Sequence, residues 1–287
     1  MKGRELTMRF VVYDTISIQK QIFGLPLNLR TDFISKRLLA PFKDIVNAEL
    51  GIFNPEGPMA EYQESILKLE KAGSLKLCKD ALEQSYRCFW EANYTLNLNE
   101  VRFGLFLGDP EHKSLMLNKG YAGYRPILGY ILLTVWPDDF TLPRLAPAAA
   151  HEFNHQMRLS YEPWGNNVSL YRHIVFEGLA DSFAASRFGK EMLGPWVTQI
   201  SARDLEHSKK IIKGALGVSE QNEVGSYMYG DELAKIHGFA PIGLPYAAGY
   251  AVGYHLVQAY LKETGKSIVE ATMTATEEII ERSGFFE

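Results

Sequence analysis

The chain has 287 residues, 46% of them hydrophobic and 12% aromatic, with a formal net charge of −4. That length and apolar content bury a large core in one or two domains and exclude a disordered or fibrous chain. The charge balance, with Lys209, Lys210 and Lys213 as its one notable basic run, excludes an electrostatic footprint for nucleic acid.

At the N-terminus Lys2 and Arg4 precede Phe10-Val11-Val12-Tyr13, but Asp14 cuts that run off too early for the apolar region of a signal peptide. A cytoplasmic protein is the expectation, with either Met1 or Met8 as its start. Cys78 and Cys88 stand ten apart in a helical pattern, where side chains seldom meet, so both are expected to be reduced and buried. From about Thr31 to Tyr94 apolar residues recur at spacings of three and four: Phe33, Ile34, Leu38, Leu39 and Phe42, then Tyr62, Ile66, Leu67 and Leu69. A further helix is predicted from Leu75 to Asn93. This block holds no catalytic constellation, and the expected division is a mainly helical region over 1–98 followed by a catalytic region over 99–287.

Val101 to Leu107 and Ile127 to Val135 are apolar, β-branched runs punctuated by Gly108, Asp109, Pro110, Gly120 and Gly123, which predicts strands and turns of a small sheet. Ile131 to Val135 is read either as an edge on which an extended peptide adds a strand or as a core strand. An Ala-rich helix follows over Leu145 to Met157, with Pro143 and Pro147 near its start, where proline is tolerated.

That helix carries His151-Glu152-Phe153-Asn154-His155, with no charged residue after it until Arg158. Residues four apart share a helix face, so His151 and His155 can reach one Zn²⁺ while Glu152 points at the ion's open position. Catalytic zinc takes three protein ligands and a water, so a third ligand is needed. Tyr161 stands where a metzincin would place its third histidine, and the inverted His-x-x-Glu-His order is absent. Pro163, Gly165, Asn166 and Asn167 signal a turn, and a helix is predicted from Leu170 to Phe188, closed by Gly189. Two helices joined by so short a loop are antiparallel neighbours, which lets Glu177 face the histidines, with Asp181 one turn on able to accept a ligand's other ring N–H. His173, one turn before Glu177, is the competing ligand.

Gly194 to Leu216 reads as further helix, with His207 at its surface. Phe239 to Leu261 has no formal charge and a Gly249-x-x-x-Gly253 spacing, yet Pro241, Pro245 and its tyrosines make it too polar for a membrane span. It is read as a buried helix packed closely through its glycines. An oxyanion formed by attack on a carbonyl usually needs a donor from a second segment, and Tyr250, Tyr254 and His255 are the candidates here.

The glutamate in Glu177-Gly178-Leu179-Ala180-Asp181 after the His-Glu-x-x-His pattern resembles the gluzincins. From about Gly129 to Leu261 the chain resembles the YjaZ-like DUF2268 family of predicted zinc-dependent proteases. Three blocks carry it: His151 to Arg158, Phe176 to Asp181, and Met228-Tyr229-Gly230-Asp231 with Ala248 to Tyr254. The resemblance implies an α+β, mainly α, zincin-like fold with a small sheet next to the metal helix. It implies His151, His155 and Glu177 as ligands of one Zn²⁺, Glu152 as base, and Asp181 behind a ligand. Tyr250-Ala-Val-Gly253 also resembles the Tyr-x-Lys-Gly segment of gluzincin aminopeptidases, which selects Tyr250 over Tyr254 and His255 as the donor. Val252 replaces the lysine and the Gly-x-Met-x-Asn motif is missing, so aminopeptidase specificity is not implied.

The expected function is a zinc metallopeptidase acting on a peptide or protein substrate, with no nucleic-acid partner and no membrane span. The alternative is a non-catalytic zincin-fold protein with a chaperone, sensor or binding role.

Overall fold

The apolar runs predicted as strands pair with two further segments into one sheet. A computed structural model describes residues 8–46, 50–124, 126–165 and 167–287, so Asn166 of the predicted turn lies outside the described residues. Strands β1 (Arg9–Val12), β2 (Glu100–Leu107), β3 (Tyr121–Gly123) and β4 (Tyr130–Val135) lie in the order β1-β2-β4-β3. β1, β2 and β4 are parallel, and β3 runs antiparallel to β4 with Gly123 opposite Leu133. Parallel strands covered on both faces lose the polar alternation of half-exposed ones, and Val101, Phe103, Leu105, Phe106 and Leu107 of β2 are all fully buried. Of the two readings of Ile131 to Val135, the edge strand is corrected: β4 lies between β2 and β3, and the edge beside it is β3.

Phe10 to Val12, read above only as too short for a signal, forms β1. Asp14 then caps α1 (Thr15–Phe23) by accepting from Ser17 N–H at 3.2 Å. Gln19 of α1, fully buried, donates to Leu105 O at 3.3 Å and accepts from Leu107 N–H at 2.8 Å, so its amide is satisfied by β2. α2 (Leu27–Phe33) passes into a π-helical turn over Ile34–Leu38 and a 3₁₀ turn over Ala40–Phe42. The helical spacing continues through this stretch, but Pro41 cannot donate to a regular ladder and restricts the residue before it. α3 (Met59–Lys71) and α4 (Ser74–Glu91) follow the predicted helices, and a short α5 (Lys113–Leu117) precedes β3. Cys78 is buried and burial pushes its thiol up to about 12, whereas Cys88 is half-buried instead of buried; neither is in a disulfide.

The chain divides into two compact units, Met1–Arg87 with Leu96–Glu152, and Cys88–Thr95 with Phe153–Glu287. The sheet and α1 to α3 belong to the first. α6 (Leu145–Tyr161) gives its first half to the first unit and its second half to the second. The second unit also holds α7 (Leu170–Phe188), α8 (Pro195–Thr198), α9 (Ala202–Lys213), α10 (Gln221–Ile236), α11 (Ala248–Thr264), α12 (Ile268–Thr272) and α13 (Thr276–Arg282). The predicted helix over Gly194 to Leu216 is thus two, α9 restarting where the Ser201 hydroxyl accepts from Asp204 N–H at 3.1 Å. α7 ends as expected at Gly189, whose φ of 99° closes the helix.

α7 and α11 form the centre of the second unit through a pair of glycines. A Cβ on Gly178 would overlap the Gly253 carbonyl, and one on Gly253 would overlap the Ile174 carbonyl, so the two backbones touch. This is the close packing read from the charge-free stretch, and among the described residues no helix is long and apolar enough to cross a membrane. Elsewhere in the unit the buried Arg158 donates to Thr272 O at 2.8 Å, Thr274 O at 2.5 Å and Thr276 Oγ1 at 2.6 Å, and pairs with Glu162. Buried guanidinium groups need such a full complement of acceptors. The observed architecture is α+β and mainly α.

Candidate metal centre

One helix supplies the central donors. On α6 the potential ligand atoms of His151, Glu152 and His155 all lie within 4.8 Å of one another, and they form a metal-capable group among the described residues. His155 is 2% exposed and Glu152 8%, while His151 is half-buried. A carboxylate this buried is costly without partners, so its neighbours matter.

In the first unit, Glu152 lies against the edge strand β3. A Cβ built on Gly123 would overlap Oε1 and Cδ of Glu152 and stand 3.0 Å from Oε2. Only glycine at that position leaves the carboxylate where it is. The sequence reading treated Gly123 as turn punctuation and missed this contact, since nothing in a Tyr-Ala-Gly run announces a strand.

In the second unit, α7 meets the C-terminal half of α6. The His155 ring stacks on Phe176 with centroids 4.0 Å apart and planes 3° from parallel. His155 Nε2 is 3.5 Å from Glu177 Oε2. The predicted third ligand is therefore beside the second histidine. Trp164 packs on the next rings of this cluster, 4.5 Å from Phe176 and 4.6 Å from His173. Burial pushes the His173 imidazole below its usual pKa, against the opposing pull of the Glu177 charge.

Asp181, one turn beyond Glu177, is 2% exposed and its Oδ2 accepts the Trp196 indole N–H at 2.8 Å. Trp196 in turn lies 6.1 Å from Tyr250, and Tyr250 lies 6.4 Å from Tyr229 with planes 25° apart. Burial, and then the negative charge of Glu177, push the Tyr229 phenol above its ordinary pKa, so it is a neutral donor at physiological pH. Sequence reasoning named Tyr229 only inside a matching block and gave it no role. Tyr254 is 5% exposed and packs with Leu193 and Val197, its phenol held protonated by burial and the Asp181 charge. His255 meets Tyr254 edge-on at 5.4 Å, and burial pushes its pKa down.

Two imidazoles with a nearby carboxylate are the donor set that catalytic zinc sites use, and a further carboxylate on the same helix suits a proton acceptor. The fold and this donor set define a mainly α, α+β protein with a His-Glu-x-x-His helix whose donors could hold a metal ion. The profile of the family described as "Predicted Zn-dependent protease (DUF2268)" matches residues 75–281, and the chain belongs to that family. It is 34% identical over 299 aligned residues to the "Uncharacterized protein YjfC" of Bacillus subtilis (strain 168), covering 97% of this chain and 99% of that protein. It is also 25% identical to the "Uncharacterized protein YjaZ" of the same organism over 146 residues, 50% of this chain and 52% of that one. No solved structure matches.

Proposed function

We propose that the protein is a zinc-dependent peptidase with a zincin-like catalytic region over 99–287. His151, His155 and Glu177 would hold one Zn²⁺, with Asp181 supporting the site through the buried polar network it shares with Trp196. The observation that carries this reading is the clustering of the ligand atoms of His151, Glu152 and His155 on one helix, with Glu177 at His155. When bound, the ion supplies a Lewis acid that lowers the pKa of water towards ~7 and polarises a scissile carbonyl.

The chain's own groups do the rest. Glu152 accepts the proton of the attacking water at its carboxylate and returns it to the leaving amine, which one group can do because it is regenerated in each cycle. Gly123 keeps that carboxylate in place. Tyr250, stacked on Tyr229, donates its phenolic O–H to the oxygen on which negative charge develops. The same set can act on other amides, and peptide bonds are the class the family description names. Two cysteines outside any disulfide agree with a cytoplasmic location.

Metal analysis of the purified chain combined with digestion of a diverse peptide library tests the proposal. One zinc per chain and cleavage by wild type are expected, with Glu152→Gln keeping the zinc and losing hydrolysis. Zinc binding with no cleavage by either protein would instead support a non-catalytic chaperone, sensor or binding role.

A further inference from the structure

The Met228-Tyr229-Gly230-Asp231 block enters the chemistry above only through the Tyr229 ring beside Tyr250, yet it has an unusual backbone. α10 is interrupted at Gly230, which has φ 67° and ψ 171° inside an otherwise helical run. A Cβ there would overlap the Pro245 carbonyl, so both the conformation and the space require glycine. The break frees the neighbouring backbone groups from the helical ladder and turns them to the 242–247 loop. Asp231 N–H donates to Leu244 O at 3.0 Å, and Ala247 N–H donates to Tyr229 O at 2.7 Å.

The Asp231 side chain completes the attachment. Its Oδ1 accepts from the backbone N–H groups of Ile242, Gly243 and Leu244 at 2.8, 2.9 and 3.2 Å, and Gly243 N–H also lies 3.1 Å from Oδ2. Hydrogen bonds to an ionised acceptor are roughly twice as strong as neutral ones, so this is a firm hold on three successive amides. Three residues earlier, Met228 packs so closely on Gly249 that a Cβ there would stand 2.6 Å from Met228 Cα.

The loop held in this way ends at Ala247, a non-glycine residue in the left-handed region at φ 51° and ψ 36°, which starts α11. Such a conformation persists only where its surroundings over-determine it. Tyr250 follows three residues later, its ring stacked on that of Tyr229. The stretch that breaks α10 therefore fixes both members of the tyrosine pair, one directly and one through the loop.

We propose that Asp231 is a positioning residue, which by clasping the backbone of 242–244 fixes the left-handed start of α11 and with it the Tyr250 phenol. The inference rests on the role proposed for Tyr250. Because Oδ1 receives all three N–H groups and Oδ2 only the second contact of Gly243, asparagine keeps most of the clasp and alanine removes it.

The test uses the full-length, zinc-loaded chain carrying Asp231→Ala or Asp231→Asn, each alone and combined with Tyr250→Phe. Asp231→Ala should lower kcat by about 10²-fold, the cost of a lost oxyanion donor, with KM nearly unchanged and zinc retained. Asp231→Asn should restore most of the rate, and Asp231→Ala should cost nothing further in the Tyr250→Phe background. An independent readout is fluorotyrosine NMR, with the Tyr250 resonance assigned by its loss in Tyr250→Phe. That resonance should shift in Asp231→Ala and return in Asp231→Asn. An unmoved resonance, or an equal further loss of rate in the Tyr250→Phe background, would overturn the proposal. If wild type shows no hydrolysis, the peptidase reading falls while the NMR comparison still decides whether Asp231 positions Tyr250. Should Asp231→Ala fail to fold, Asp231→Ser takes its place with the same expectations, since its hydroxyl is too short to reach all three amides.

Discussion

Gly123→Ala should disable the general base without loosening the fold. Ordinary contact for an added Cβ begins at 3.4 Å, yet here it would overlap two atoms of the Glu152 carboxyl group and stand 3.0 Å from the third. β3 cannot retreat easily, because Tyr124 N–H donates to Leu132 O at 2.9 Å and the strand is paired along its length with β4. The carboxylate, at the end of a flexible side chain, gives way instead, by roughly 1 Å or more in a close-packed interior. A misplacement of ~1 Å can cost about 10²-fold in rate, or about 2.7 kcal/mol of barrier. Stability should hardly change. Gly123 has no positive φ, so alanine gains about 0.4 to 1 kcal/mol through the unfolded chain, which offsets the cost of moving Glu152. The assay is kcat/KM on a peptide found in the library digest, alongside zinc content and thermal unfolding. Activity within about twofold of wild type would refute the reasoning. A matching loss of zinc would refute it too, since Glu152 is assigned to the proton and not to the metal.

Glu177→Ala should weaken zinc binding far more than His173→Ala, with Asp181→Ala between them at about 10 to 100-fold, as measured by chelator competition; equal effects at Glu177 and His173 would move the third ligand. Tyr250→Phe should keep zinc and lower kcat by about 10²-fold, whereas Tyr254→Phe and His255→Ala, whose rings pack against each other with Tyr254 also in the Leu193 cluster, should leave kcat near wild type. Loss at either of those two with full activity in Tyr250→Phe would reassign the donor. Arg158→Ala should destabilise the fold by about 3 to 5 kcal/mol, read by denaturant unfolding, because it strands the buried acceptors at Thr272 and Thr274; a change below about 1 kcal/mol would show that water replaces the guanidinium.

The parts of this molecule that were legible in the sequence are those with a repeat to read. α4, α7 and β2 fall close to their predicted bounds because each carries a long apolar period or a run of β-branched and aromatic residues between clear punctuation. The central donors were legible because four residues on a helix fix a geometry that needs no tertiary knowledge. What was not legible depends on neighbours. β1 and β3 have four and three residues, too few to show a period, and they are strands because β2 and β4 offer them partners. The reading of β4 as an edge failed for that reason: strand order is a property of the assembled sheet. Gly123 carries no motif, and the block that holds Tyr229 and Asp231 gave neither a role; each is defined by a group distant in sequence, respectively Glu152, Tyr250 and the 242–244 backbone. The Gly249 and Gly253 spacing did announce close packing, though not that the partners would be Met228 and the Ile174 to Gly178 turn.

The buried Arg158 has a consequence for the order in which the protein is made. Its acceptors lie 114 to 118 residues downstream, so when α6 first emerges during synthesis its guanidinium has no interior in which to sit. Domains generally fold as units from the N-terminal side as the chain is made, and the first unit, which ends at Glu152, can settle early. The second half of α6 must wait until Thr272 to Thr276 has been added, since burying an unpaired guanidinium is costly. His155 lies on that late half and Glu152 on the early one. A nascent chain therefore keeps His151 and His155 in differently matured surroundings until most of the sequence has been translated.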